Sequence, residues 1–463
     1  MKQSIVIDKK LISRYNLSGP RYTSYPSAIQ FHEQFGIEEY HQVVNDSNED
    51  ILPKPLSLYL HLPFCNTVCF YCACNKIITA NRNRAAPYLE DLHKEISMQG
   101  PLFDSDRPVN QLHWGGGTPT FISHKQMSEL INVIKDNFTL LDDDTGEYSI
   151  EIDPREIQAD TIPFLRELGF NRMSIGVQDF NEHVQQAVNR NQSYEQTLKV
   201  FNEARKHGFQ SINIDLIYGL PKQSVRTFCN TIDKIIEMNP DRIAIYNYAH
   251  LPHLFKSQRQ IKEEDLPTPD EKLLILSESV KSLQDAGYVY IGMDHFAKPD
   301  DELAIAQRSG KLHRNFQGYS TNANCDVIGL GMTAISKIRN SYSQNVRTLE
   351  GYHDALAQNK LPILRGYKLK FDDELRREVI SELICHFHIE YREIEDLFKI
   401  DFKSYFSKEL QMLNEVEKDK LLIIKDDSIE VLPAGRFLIR NICSAFDTYF
   451  NRESNVSNFS KMI

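Results

Sequence analysis

Four cysteines fall within ten residues, as Cys65-x3-Cys69-x2-Cys72 followed by Cys74. Thiolates bind soft metals, and their spacing separates the candidate sites. Zinc centres usually take two well-separated CxxC pairs that together supply four ligands. Here three cysteines share one loop, and no distant CxxC or HxxxH pair accompanies them. Iron–sulfur clusters favour thiolate ligands and usually take four of them. A cubane held by only three leaves one iron open to a substrate or cofactor. A disulfide framework would instead spread its cysteines through a small secreted chain. Cys229, Cys325, Cys385 and Cys443 are scattered singly and read as small buried hydrophobes.

A second group is the run GGGTPT at 115–120. Glycine lets a backbone approach a ligand closely. The run is neither a GxGxxG dinucleotide fingerprint nor a Walker loop, because Thr-Pro-Thr follows the glycines and no GK[ST] does. A third is the basic stretch 9–32, where Lys9, Lys10, Arg14 and Arg21 stand without an acid. It reads either as a solvated surface segment or as a binding surface for an anion.

These groups need a scaffold, and the chain supplies one. Short apolar runs read as buried strands at 57–63, 109–114, 147–153, 172–178, 211–219 and 242–248. Helix-length stretches lie between and after them, at 85–100, 123–138, 160–168, 193–208, 224–238 and 269–287. Strands alternating with helices imply a parallel sheet of βαβ units, here an open or partial six-fold barrel. In such barrels the loops after the strands carry the chemistry. The candidates fall there: the cysteines follow the first strand, GGGTPT the second, Glu151 and Asp153 end the third, and Gln178 and Asp179 the fourth. Asp215 lies late in the fifth, and Asn247, Tyr248 and Ala249 end the sixth. Residues 1–50 read as polar and irregular, and GMDHFAKPDDE and HRNFQGYSTN, after residue 290, as loops. Past about 370 the pattern is helical, and 421–443 reads as two short strands, a turn and a helix. The expected division is an N-terminal segment 1–50, a barrel 51–365 and a smaller, mostly helical C-terminal domain 366–463.

The chain has 463 residues and a net charge of −11. A single core rarely grows past ~250–300 residues, so one large and one smaller domain are expected. The acidic balance argues against nucleic acid as a partner. The start lacks the apolar core of a secretory signal, and no run reaches the ~18 apolar residues of a membrane span. A cytoplasmic monomer is the default expectation.

CxxxCxxC after the first strand of such an array resembles the radical S-adenosylmethionine (SAM) enzymes. More closely, the chain resembles the family of oxygen-independent coproporphyrinogen III oxidases (dehydrogenases). The matching segments include GPRYTSYPSA (19–28), YLHLPFCNTVCFYCAC (59–74), HWGGGTPT (113–120), EIDPREI (151–157), NRMSIGVQDFN (171–181), NIDLIYGLPKQ (213–223) and GMDHFAKPDDEL (292–303). HRNFQGY (313–319) continues the match, which covers nearly the whole chain.

The resemblance implies an α/β fold, a partial (β/α)6 radical SAM barrel with an N-terminal extension. It implies that Cys65, Cys69 and Cys72 ligate a [4Fe–4S] cluster, and that Cys74 is a non-ligand, since a fourth thiolate would close the iron that SAM needs. It implies contacts from Tyr59, Gly116, Glu151 and Ile335 to one SAM, with Tyr59 and Glu151 also counted as catalytic. Tyr71, Gly117, Thr118, Gln178, Arg190, Asp215 and Ala249 would contact a second SAM. Plainer readings stand beside these: Tyr71 as a core aromatic, Arg190 in an ordinary ion pair, Asp215 as a strand-end acceptor. The implied reaction is oxidative decarboxylation of two propionates of coproporphyrinogen III to vinyl groups, giving protoporphyrinogen IX in haem biosynthesis. A 5′-deoxyadenosyl radical would begin it, with an electron donor and an electron acceptor whose identities the sequence does not carry. Arg21 and Arg314 are expected partners for the substrate carboxylates. The alternative is a haem-binding chaperone of the same superfamily, with His113, His295 or His313 as a ligand. That branch lacks the PRYTSYP leader, and it carries phenylalanine where this chain has Cys74.

Overall fold

The structure is a computed structural model describing residues 9–15, 19–322 and 324–450. By compactness the chain forms two units, each assembled from separated segments. One comprises Phe31–Pro267 and Asn324–Lys368, the other Met1–Gln30, Thr268–Ala323 and Leu369–Ile463. This differs from a division into three consecutive segments at residues 50 and 365. Helix Ile37–Asn48 is one reason: it buries Tyr40, Val43, Val44 and Ser47 within the first unit. Their spacing is the apolar stripe of an amphipathic helix, so a stretch expected to be irregular is helical.

The first unit is built on alternating strands and helices. They run β1 (Leu56–Leu62), α1 (Ala85–Gln99), β2 (Pro108–Gly116), α2 (His124–Asn137), β3 (Glu147–Ile152) and α3 (Thr161–Glu167). Then come β4 (Arg172–Gln178), α4 (Tyr194–Lys206), β5 (Ser211–Tyr218), α5 (Val225–Met238) and β6 (Arg242–Asn247). The six strands lie parallel in chain order. Each expected strand and helix of this array is present within two residues of its expected bounds. The helix starts have a local cause. Ser123, Ser193 and Ser224 each cap a helix, accepting the backbone N–H three residues on. Such a cap is worth about 1 kcal/mol.

Two features of the sheet lie beyond local pattern. β7 (Asp326–Leu330) pairs parallel with the free edge of β1, and β8 (Ile335–Ile338), β9 (Ser341–Asn345) and β10 (Ile363–Lys368) extend it antiparallel. A buried guanidinium fastens this edge. Arg107 donates to Asp326 at 2.7 Å, to Ser47 and Asn48 at 2.9 Å, and to the Lys54 carbonyl at 2.8 Å.

The second feature is alternation. Parallel strands are usually apolar on both faces. Here Leu58, Leu60, Leu112, Trp114, Ile150, Ile175 and Ile214 are buried, while the intervening positions are Tyr59, His113, Ser149, Glu151, Ser174 and Asp215. Strand register sets these polar residues side by side: Tyr59 opposite His113, His113 opposite Ser149, and Glu151 opposite Ser174. One face of the sheet is thus a packed core and the other a polar layer.

The second unit holds helices Pro269–Asp285, Glu302–Arg308, Phe371–His386, Tyr391–Phe398 and Ser407–Lys418. A three-stranded sheet, His388–Glu390, Ser428–Val431 and Leu422–Ile424, completes the expected hairpin with one further strand. The stretches read as loops contain two tight hairpins, Val289–Gly292 with His295–Ala297 and His313–Asn315 with Gly318–Ser320. Strands this short carry too few residues for a period to show. Among the described residues no helix is long and apolar enough to cross a membrane.

Candidate active site

The cysteine loop begins where β1 ends and is tied down by its backbone. Residues Phe64–Cys65 pair in parallel with Ile77–Ile78, closing the loop on itself. The Phe70 N–H donates to the Val188 carbonyl at 2.9 Å, and the Asn189 amide to the Val68 carbonyl at 2.8 Å. From the other side, Gln258 donates to the carbonyls of Tyr71 and Ala249 at 3.0 and 3.2 Å, and Ser257 to that of Cys72 at 3.1 Å. Gln258 is buried, and the sequence offered no signal for its role in holding Ala249 to the loop.

Each thiol has its own donor. Thr118 Oγ1 donates to Cys65 Sγ at 3.6 Å. Arg155 Nη2 and Arg190 Nη1 donate to Cys69 Sγ at 3.5 and 3.7 Å. A hydrogen bond from Cys74, together with the Lys76 ammonium, outweighs burial and lowers the Cys72 thiol to about 6. The same bond raises the Cys74 thiol. Burial pushes the Cys65 thiol up to about 11. A metal would have to displace that proton.

The glycine run abuts this loop. Gly116 has φ of +111°, and a Cβ there would lie 2.5 Å from the His61 ring. A Cβ on Gly117 would lie 2.7 Å from the Phe64 carbonyl oxygen. No other residue fits at either position. The Gly116 N–H donates to Glu151 Oε2 at 3.1 Å. Glu151 Oε1 lies 3.5 Å from His113 Nε2, and His113 Nδ1 is 2.5 Å from Ser149 Oγ. Burial works to raise the Glu151 carboxyl, but His113 and the Gly116 amide hold it below its ordinary range. Tyr59 stacks on His113 and hydrogen-bonds His61 at 3.1 Å. Ile335 joins them through β7: Gly329 pairs with Tyr59, and its Cβ position is filled by the Ile335 backbone.

Farther along the sheet, Asp215 accepts from Ser174 at 2.7 Å and Asn213 at 2.9 Å. Burial raises it to about 6, helped by the charge of Glu151. Arg190 is buried; it donates to Asp153 at 3.1 Å and to the Gly176 carbonyl at 2.7 Å. A side chain at Gly176 would crowd both Arg190 and Gln178, at 3.0 and 3.1 Å. Tyr71 packs against the apolar cluster of Val184, Val188, Leu220, Tyr248 and Ile261. All eleven expected SAM contacts therefore belong to this one unit, with the three cysteines.

The donor set fits an iron–sulfur cluster with SAM. Three thiols share one loop, and two glycines leave no room for a Cβ beside it. Nearby, Gln178 Oε1, Asn213 Oδ1 and Arg190 Nε are buried without a protein partner. Buried polar atoms of this kind call for a ligand or water. Among the described residues no three His, Cys, Asp or Glu side chains converge on a single ion.

Arg21 and Arg314 belong to the other unit. Arg21 pairs with Asp294 at 3.1 Å. Arg314 lies over the Tyr319 ring at 4.9 Å, with its Nε and Nη1 buried and unbonded. Arg440, which the sequence did not single out, donates to the carbonyls of Gly19 and Pro20. Tyr22 and Tyr25 of the same leader bond Asp447 and Thr448, each at 3.1 Å. The side chain of Lys9 lies outside the described residues.

The model of the radical SAM superfamily matches residues 59–235. The chain is 48% identical over 461 residues to the oxygen-independent coproporphyrinogen III oxidase of Escherichia coli (strain K12), covering 100% of this chain and 99% of that one. It is 49% identical to the enzyme of the same name from Pseudomonas aeruginosa, over 463 residues and 100% of both chains. A solved structure, coproporphyrinogen III oxidase (HemN) from Escherichia coli, described as a radical SAM enzyme, superposes with a TM-score of 0.92 at 48% identity. It covers 97% of this chain and 100% of its own.

Proposed function

We infer that this chain, which belongs to the oxygen-independent coproporphyrinogen III oxidase family of radical SAM enzymes, oxidatively decarboxylates two propionates of coproporphyrinogen III in haem biosynthesis. One observation carries the reading. Cys65, Cys69 and Cys72 share a loop at the carboxyl end of β1, against the Gly116–Thr118 backbone and at the edge of the polar layer. When bound, a [4Fe–4S] cluster and SAM supply a 5′-deoxyadenosyl radical, an oxidant able to take hydrogen from an unactivated propionate carbon. General acid–base groups supply only ~10²–10⁴-fold and cannot replace it.

The residues divide the remaining work. Cys65, Cys69 and Cys72 hold the cluster. Glu151, kept ionised by His113 and the Gly116 amide, suits the ammonium of the first SAM, with Tyr59, Gly116 and Ile335 around it. Tyr71, Gly117, Thr118, Gln178, Arg190, Asp215 and Ala249 hold the second SAM. The unbonded Gln178 Oε1 supports that placement. Arg190 can offer Nε, which is buried without a protein partner. The leader within residues 1–50 covers the substrate, and Arg21 and Arg314 pair with its carboxylates through charge-assisted hydrogen bonds. Nothing favours the haem-carrier alternative. Both ring nitrogens of His113 are already committed, to Ser149 and Glu151.

The test is anaerobic turnover. The protein, reconstituted with iron and sulfide, receives SAM, coproporphyrinogen III, a reductant and an electron acceptor from cell extract. Protoporphyrin, methionine and 5′-deoxyadenosine are expected. Cleavage of SAM without a porphyrin product would overturn the substrate assignment. A charged hydrogen bond is worth about 1.5–3 kcal/mol. Arg21→Ala is therefore expected to raise KM for coproporphyrinogen roughly tenfold or more. Steady-state kinetics with unchanged KM and kcat would remove Arg21 from the site.

A further inference from the structure

Arg155 has no part in the proposed SAM or substrate contacts, yet it reaches the buried ligand thiol. Its side chain follows β3 by three residues and is folded back onto the strand end. The Arg155 N–H donates to Asp153 Oδ1 at 3.0 Å, Nε to the same oxygen at 3.0 Å, and Nη2 to Oδ2 at 2.7 Å. This grip leaves Nη2 3.5 Å from Cys69 Sγ. Arg190, on the other side of Asp153, reaches the same sulfur. Two guanidinium groups thus share one carboxylate, leaving a net positive charge at the most buried of the three cluster thiols. Fixed N–H donors and net charge beside the sulfurs set the potential of an iron–sulfur centre. Reduction adds one electron and so one negative charge, and a cation bonded to the sulfur stabilises the reduced state more than the oxidised one.

We propose that Arg155 is a positioning residue that holds the cluster's reduction potential up through its bond to Cys69. The inference rests on the reading that Cys69 ligates a cluster. The electron comes from a low-potential one-electron donor, dithionite in the experiment.

The experiment is an EPR-monitored potentiometric titration of the reconstituted full chain without SAM, alongside iron and sulfide analysis. Arg155→Met removes both charge and donor. Arg155→Gln removes the charge and keeps a neutral N–H. Both variants are expected to load iron and sulfide as the unmodified protein does. Both midpoints should move negative, Met the farther, with the reduction equilibrium falling about tenfold, or 59 mV for a one-electron couple. An unchanged midpoint in a fully loaded variant would overturn the proposal, and Gln decides if Met does not load. Loss of the cluster from both, with circular dichroism unchanged, would overturn it too, because Arg155 would then only hold the loop. An unmodified protein that binds no cluster would instead count against the cysteine assignment.

Discussion

Cys65→Ala is expected to abolish both the visible absorbance of the reconstituted cluster and the formation of protoporphyrin. The thiol has no substitute. Cys69 and Cys72 remain on the loop, but Cys74 lies two residues beyond Cys72, on the far side from Cys65. The loop itself should survive the change. Its closure depends on backbone pairing of Phe64–Cys65 with Ile77–Ile78 and on the bond from Thr79 N–H to the Cys65 carbonyl at 2.9 Å, none of which needs the sulfur. Iron analysis, absorbance and the thermal midpoint measured together separate the two consequences. A protein with unaltered melting that keeps a full complement of iron and turns over would end the assignment of Cys65 as a ligand.

Arg107→Met is expected to be the most damaging single change to stability outside the site, costing about 3–5 kcal/mol. Arg107 and Asp326 are both buried, and the ion pair sits where the segment before β2 meets the start of β7. Truncating the cation leaves the Asp326 carboxylate buried, with one oxygen served only by the Arg339 N–H at 2.9 Å. Ser47, Asn48 and the Lys54 carbonyl lose a donor at the same time. Chemical denaturation measures the loss. Adding Asp326→Asn should recover part of it, since the neutral side chain leaves no unpaired charge behind. A single variant that loses less than about 1 kcal/mol would show that water reaches this edge of the sheet.

What could be read from the sequence follows from how far each constraint reaches along the chain. The cysteine spacing is a covalent fact, so three thiols had to share one loop. The βαβ rhythm is set by apolar runs of strand length and by serine-capped helices, all local. Glycines 116 and 117 announced a close backbone approach, and a ring and a carbonyl stand where their side chains would be. The polar layer was also written in the chain, in the alternation of LSLYLHL and SINIDLI. Reading the runs at 147–153 and 172–178 simply as apolar passed over Ser149 and Ser174.

Tertiary structure decided the rest. β7 lies 264 residues beyond the end of β1, and only sheet pairing makes Ile335 a neighbour of Tyr59. Arg155 and Arg190 are far apart in sequence, and a shared carboxylate aims both at one sulfur. The leader at 19–26 is tied to residues 440–448 by side-chain bonds that no local pattern encodes. Spacing along a chain dictates which groups can share a loop. Burial and long-range hydrogen bonding dictate which groups from elsewhere are brought to face them.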